Sequence, residues 1–249
     1  RFAAAGFRRE AMTPVYGLAE NSVGLTFPPP GRGPLIDAVD RAALAADGVA
    51  RPAGAEDRHA LRVVSNGRVL PGHEMRIADG AGKTLPERRV GRVQFRGPSA
   101  TSGYFGNAEA TARLFEGAWL NSGDLGYLAG GELYLTGREK DTIIRGGHNI
   151  YPQELEEAVG RLEGVRKGGV AVFPAADPHS ATERLVVLAE TRAEGAEARR
   201  RLLAEIGNLA VDLLGVPADD IVLVPPHSVQ KAPMRQGNRP GALRKVPSA

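Results

Sequence analysis

Tyr16-Gly17-Leu18-Ala19-Glu20 places three useful groups within one turn of chain. The tyrosine offers an aromatic face for a purine. The glycine permits close approach of the backbone, and the carboxylate supplies hard oxygens that suit Mg2+. Taken alone, a Tyr-Gly turn followed by an acid is a common surface feature. Far downstream, Trp119-Leu120-Asn121-Ser122-Gly123-Asp124-Leu125-Gly126 sets a carboxylate beside a glycine, at what reads as a strand-to-turn junction. Such a carboxylate can accept both hydroxyls of a ribose; the alternative is an ordinary Asp in a hairpin turn. A third stretch, Thr136 to Pro152, crowds Arg138, Glu139, Lys140 and Asp141 between two β-like runs. Charges packed there are costly unless something fixed uses them. The alternative for Arg138 is a surface ion pair with Glu139 or Asp141, which is worth little. Gly146-Gly147 forms a second turn, explained by glycine's conformational freedom alone. His148 follows it, but no partner carboxylate stands within reading distance, so a general-base role is disfavoured.

The elements that must position these residues change in texture near residue 140. Before it, strand patterns gather at Arg62–Ser65, Glu74–Ala78, Gly91–Arg96 and Glu132–Thr136. Met75/Ile77 and Val93/Phe95 alternate as half-buried strands do. Asp79 to Lys83 reads as a hairpin turn. Ile36 to Ala46 reads as a short strand and turn, and Asn107 caps a short helix from Ala108 to Phe115. The proline-rich run Pro28 to Pro34 cannot continue a helix or a central strand. After residue 141, strand and helix alternate. Pro152 opens a helix to Arg161, with Leu155, Val159 and Leu162 on one face. Val165 to Phe173, Leu185 to Thr191 and Ile221 to Val224 read as strands. Ala196 to Leu214 reads as the longest helix. The expectation is an α+β protein: residues 1–138 ending in a β-rich subdomain, residues 139–249 forming a compact α+β domain, and a boundary at 138–141.

Composition allows this without specifying it. The 249 residues are 42% hydrophobic and 24% charged, enough for one large or two ordinary domains. No cysteine is present, which excludes disulfides, thiolate metal sites and a cysteine nucleophile. It also suits a reducing, cytoplasmic setting. No apolar run reaches the roughly 20 residues of a membrane helix. Net charge is +3, with Lys231, Arg235, Arg239, Arg244 and Lys245 following Asp220, the last acid. No nucleic-acid-binding spacing accompanies them, so a nucleic-acid partner is not expected.

The three motifs together closely resemble the adenylate-forming superfamily of acyl-CoA synthetases, fatty acyl-AMP ligases and nonribosomal adenylation domains. Gly97-Pro98-Ser99 and Ser102 to Asn107 match a further, mainly structural motif. The resemblance runs along essentially the whole chain and implies the C-terminal half of such an enzyme. It would comprise the end of the large domain with its β-rich subdomain, a hinge and the small mobile domain. It implies that Tyr16 and Gly17 contact adenine, that Glu20 binds the Mg2+ of Mg-ATP and that Asp124 holds the ribose hydroxyls of ATP and AMP. Arg138 would contact the nucleotide and Lys140 would be the hinge. Gly146, Gly147 and His148 would lie in the loop that swings in for thioester formation. The implied chemistry activates a fatty acid or other carboxylic acid as acyl-AMP. The acyl group then passes to CoA or to the phosphopantetheine of an acyl carrier protein. Tyr16 to Pro30 and Ser65 to Glu74 are most similar to the fatty acyl-AMP ligase and fatty acyl-CoA synthetase branch.

Two departures accompany the resemblance. The family carries Pro-Lys-Thr-Ser-Ser-Gly-Lys before its last helix. Aligned without gaps from Lys231, this chain has Gln236 at the position of the final, catalytic lysine. A neutral amide cannot supply that lysine's electrostatic stabilisation, and Arg235 or Arg239 is not an equivalent point charge. The Ser/Thr/Gly-rich phosphate loop is not seen ahead of Tyr16 either. The expectation divides accordingly: part of an acid–thiol ligase, or a catalytically silent fragment or binding module that keeps nucleotide or carrier-protein contacts.

Overall fold

The computed structural model describes residues 2–54, 56–145, 148–176 and 183–229. The chain divides into two compact units, Arg1–Lys140 and Asp141–Ala249. Both are mixtures of helix and sheet.

The first unit contains, in order, β1 (Thr26–Phe27), β2 (Ile36–Val39), α1 (Arg41–Asp47), β3 (Leu61–Val64), β4 (Arg68–Val69) and β5 (Glu74–Ala78). There follow β6 (Gly91–Arg96), α2 (Ala108–Leu114), β7 (Phe115–Glu116), β8 (Trp119–Ala129) and β9 (Glu132–Arg138). Strands β5, β6, β7, β8 and β9 form one antiparallel sheet in which β8 pairs with β6, β7 and β9. Strands β1 and β4, and β2 and β3, make two-stranded ribbons. Leu25, Ile77, Val93, Phe95, Leu120 and Leu133 form the core behind this sheet. Burying each such side chain contributes about 1.5–3 kcal/mol.

Two expectations needed correction here. The stretch after Ile36 is a strand followed by helix α1, not a strand and turn. Asp40 accepts a hydrogen bond from the Ala43 amide at 3.0 Å and Gly48 ends the helix at φ 62°, so an N-cap and a left-handed C-cap bracket a single alanine-rich turn and more. Asp124 lies inside β8 and not at a strand-to-turn junction. Gln94 pairs with Asn121 and Arg92 with Leu125, so Ser122, Gly123 and Asp124 together face Val93. This is a bulge with Gly123 at φ 75°. Ser122 Oγ fills the interrupted ladder: it donates to the Val93 carbonyl at 2.8 Å and accepts from the Asp124 amide at 3.1 Å.

Gln94 also breaks the alternation expected of β6, since it is buried between Val93 and Phe95. Its amide is satisfied on both sides: Arg76 Nε donates to its oxygen at 2.8 Å, and its nitrogen donates to Glu116 at 2.6 Å. The proline-rich run is tied to β9 by Arg32, whose guanidinium holds the buried Glu132 carboxylate with two hydrogen bonds. That pairing and a hydrogen bond from Ser65 keep Glu132 ionised below the usual carboxylate range despite its burial.

The second unit contains β10 (Ile143–Arg145), β11 (His148–Ile150), α3 (Pro152–Val159), β12 (Val165–Ala176), β13 (Glu183–Thr191), α4 (Ala196–Leu214) and β14 (Asp220–Val224). Central β13 runs antiparallel to β12 and parallel to β14. Leu185, Val187 and Ala189 face Leu155, Val159, Leu202, Ile206 and Ala210 of α3 and α4. Val186 and Leu188 join Phe173 and Val224 in a separate cluster. A strand buried on both faces reads as a continuous apolar run, which Leu185-Val186-Val187-Leu188-Ala189 is. Asp219 accepts from the Leu185 amide at 2.7 Å and pairs with Arg145, tying the β10–β11 hairpin to the sheet. Glu190 is fully buried, with Arg166 Nη1 at 2.8 Å and the Val229 amide donating to it at 2.7 Å.

Candidate nucleotide site

The β8 bulge delivers Asp124 to two partners that lie far away in sequence. The Tyr16 hydroxyl donates to Asp124 Oδ2 at 2.6 Å. Arg138, opposite Asp124 in the β8–β9 register, brings its Nε to 3.3 Å from Oδ1. The carboxylate is thus held by a neutral donor on one oxygen and a cation on the other. Burial, and next the Asp124 charge, push the Tyr16 phenol far above its usual range, so it remains a donor throughout the accessible pH range. Tyr16 is 8% exposed, its ring packed into the core behind the sheet. Its backbone is fixed as well: its carbonyl accepts from the Leu25 and Thr26 amides at 3.0 and 2.9 Å.

Glu20 forms a second cluster. It sits in the short 3-10 turn Ala19–Asn21, where the Tyr104 hydroxyl donates to its Oε1 at 2.6 Å. The Glu20 carbonyl accepts from the Thr101 amide at 2.8 Å. Residues 101–107 therefore grip Glu20 through both side chain and main chain. A lone hard carboxylate fits Mg2+ of the kind that takes its remaining ligands from water and phosphate oxygens. It does not fit a preformed all-protein metal cage, and no cluster of three or more ligating side chains exists among the described residues.

No family model matches the chain. A long-chain-fatty-acid–AMP ligase of Mycobacterium marinum is 32% identical over 247 residues, covering 92% of this chain and 41% of the relative. A solved chain from a study of fatty acyl-adenylate ligases of E. coli and L. pneumophila is 36% identical with a TM-score of 0.83, covering 92% of this chain and 40% of that one. The chain is homologous to part of the adenylate-forming ligases. A structure of McyG A-PCP complexed with phenylalanyl-adenylate is 29% identical with a TM-score of 0.70, over 90% of this chain and 37% of that one. The chain spans about 40% of the length of the curated relatives it matches.

In this chain Tyr16, Asp124 and Arg138 come together, and Glu20 stands on the loop that leaves Tyr16. Lys140 is exposed in the 3-10 turn Glu139–Asp141 at the edge of the first unit. His148 begins β11, paired in register with Arg145. Gly146, Gly147 and Gln236 lie outside the described residues. Tyr104 was missed as a functional partner because its motif reads as structural, and nothing local links it to a carboxylate 84 residues away. The same holds for His73 and Ser99. His73 Nε2 lies 2.6 Å from Ser99 Oγ, which donates to the buried Asn21 at 3.3 Å and so steadies the loop beside Glu20.

Gly17 is required by its own loop. A Cβ there would lie 1.4 Å from the Val23 carbonyl oxygen. That loop already carries strain, with Ser22 at φ 51° and the β-branched, 77% exposed Val23 at φ 80°. Gly17→Ala is therefore expected to destabilise the first unit by about 1–3 kcal/mol, because backbone must move to admit the methyl group. Urea unfolding of both proteins measures this, and equal midpoints would show that the loop yields freely.

Proposed function

We propose that the chain is part of an ATP-dependent acid–thiol ligase. In this reading a fatty or other carboxylate attacks the α-phosphorus of ATP and releases pyrophosphate. The thiol of CoA or of a carrier-protein phosphopantetheine then displaces AMP from the acyl-adenylate. The observation that supports it most is Asp124, held at a strand bulge by Tyr16 and Arg138, in a chain homologous to fatty acyl-AMP ligases.

Asp124 would accept the ribose hydroxyls, and Arg138 would orient Asp124 while facing nucleotide charge. Glu20 would hold Mg2+, which when bound neutralises phosphate charge. Tyr104 keeps the Glu20 carboxylate in place with an uncharged donor. Lys140, the last residue of the first unit, would serve as the hinge; Gly146, Gly147 and His148 would belong to the loop used in thioester formation. A second reading, a silent nucleotide- or carrier-protein-binding module, is favoured by one observation: the neutral Gln236 where the family has lysine.

The ligase reading, and the nucleotide-binding form of the second, require nucleotide binding, and Asp124→Ala tests it. Charge-assisted hydrogen bonds to the ribose are worth about 1.5–3 kcal/mol, so AMP affinity measured by calorimetry is expected to fall about 10- to 100-fold. Equal affinity in both proteins would return Asp124 to an ordinary structural role. ATP–pyrophosphate exchange with a long-chain fatty acid separates the two readings.

A further inference from the structure

We infer that His73 is a positioning residue for Glu20: its ring N–H, relayed through Ser99 and Asn21, sets the turn that presents the Glu20 carboxylate to Mg2+. The inference rests on the reading of Glu20 as the Mg2+-holding carboxylate and deepens it. The turn itself is strained. Ser22 and Val23 stand at φ 51° and 80°, a backbone that persists only where its surroundings over-determine it. The segment after β6 supplies that restraint. Ser99 Oγ donates to Asn21 Oδ1 at 3.3 Å, Ser22 Oγ donates to the Ser99 carbonyl at 3.3 Å, and the Thr101 amide donates to the Glu20 carbonyl at 2.8 Å. Ser99 therefore grips the two residues that follow Glu20.

Proton accounting assigns His73 its part. Asn21 is 1% exposed and spends its Nδ2 on the Gly24 carbonyl at 2.7 Å. Its Oδ1 can only accept, so the single hydroxyl proton of Ser99 is committed to it. The 2.6 Å contact between Ser99 Oγ and His73 Nε2 is then donated by the imidazole. The ring is seated for this. A Cβ on Gly97 would fall 2.1 Å from His73 Cδ2, so the imidazole lies against a position that admits no side chain. The main chain closes the circuit: the His73 amide donates to the Leu70 carbonyl at 3.1 Å, and the Leu70 amide donates to the Leu25 carbonyl at 3.0 Å. Leu25 follows the turn directly, so His73 is tied to the turn at Asn21 through its ring and beyond Gly24 through its backbone.

The test separates the ring N–H from the bulk of the ring. ATP with and without Mg2+, and AMP, are titrated by calorimetry into the wild-type chain, His73→Phe, His73→Gln, Ser99→Ala and Glu20→Gln. The wild type is expected to bind ATP more tightly with Mg2+, and Glu20→Gln to lose that enhancement. His73→Phe keeps a ring without an N–H and should cut the enhancement about tenfold while AMP affinity stays unchanged. Gln can return an N–H to the same place, so His73→Gln should restore most of it. Ser99→Ala should match His73→Phe, and the double variant should lose nothing further. Amide hydrogen exchange gives a readout that needs no ligand: the Thr101 amide should exchange about tenfold faster in His73→Phe and near the wild-type rate in His73→Gln. Wild-type enhancement in His73→Phe, with Glu20→Gln losing it, overturns the inference and leaves the reading of Glu20 standing. If both His73 variants weaken AMP and Mg-ATP alike, or unfold, the ring is structural and the inference is overturned. A wild type whose ATP affinity ignores Mg2+, or a Glu20→Gln that keeps the enhancement, overturns the reading of Glu20 and the inference with it.

Discussion

Gln236→Lys is expected to raise the rate of acyl-adenylate formation by on the order of 10²–10³ in a protein completed with the length that fatty acyl-AMP ligases have beyond this chain. A positive charge set against developing phosphate charge in a dry site acts where the transition state needs it. The gain should be confined to adenylation, since the resemblance gives that lysine a role in the adenylate-forming orientation and not in thioester formation. Pro233 and Met234 stand where the family has small hydroxyl residues, so a partial gain is the expected lower end. Single-turnover adenylate formation, set beside thioester formation from supplied acyl-AMP, is the measurement. No gain in the first step would mean that Arg235 or Arg239 already does the work, or that one residue does not restore the loop.

Arg166→Ala is expected to cost the second unit about 3–5 kcal/mol, because it leaves the fully buried Glu190 carboxylate without its cation. Desolvation opposes the ionised form of Glu190, but Arg166 and the backbone amides of Val229 and His227 outweigh it and hold the carboxyl below its usual range. The pH dependence follows in sign. A carboxyl depressed in the folded state adds stability above its unfolded value, near 4.3, and loses it as pH falls through the folded value. The wild type should therefore weaken on acidification below about pH 4.3, and Arg166→Ala should flatten that dependence. Guanidinium unfolding across that range is the check. A loss below about 0.5 kcal/mol would mean that the Val229 and His227 amides by themselves satisfy the carboxylate.

How much of this was legible in the sequence depends on how local the signal was. Helix α4 was read from Ala196 to Leu214 and found there, because Leu202, Ile206 and Ala210 recur at helical spacing over nineteen residues. Strands β5, β6, β12, β13 and β14 were legible from their own local runs of apolar and β-branched residues, with ends displaced by up to three residues. Helix α1 was not: its seven residues are too few to show a period, and only the caps at Asp40 and Gly48 mark it. Gln94 misled because its burial depends on Arg76 of β5 and Glu116 of β7, both remote from it in sequence.

The candidate site divides the same way. Sequence alone brought Tyr16, Glu20, Asp124 and Arg138 forward, since their types and motif neighbours carry the resemblance. Sequence also determined that a glycine stands at 17 and a glutamine at 236. Only the tertiary structure decided that the Tyr16 hydroxyl meets Asp124, that Asp124 rides on a bulge within β8, and that Tyr104 grips Glu20. The physical reason is separation along the chain. Tyr16 and Asp124 stand 108 residues apart and Glu20 and Tyr104 84 apart, so each pair exists only once the sheet has closed and its core has fixed which oxygen meets which donor. A motif shows which groups are present; packing decides which of their atoms remain available to a ligand.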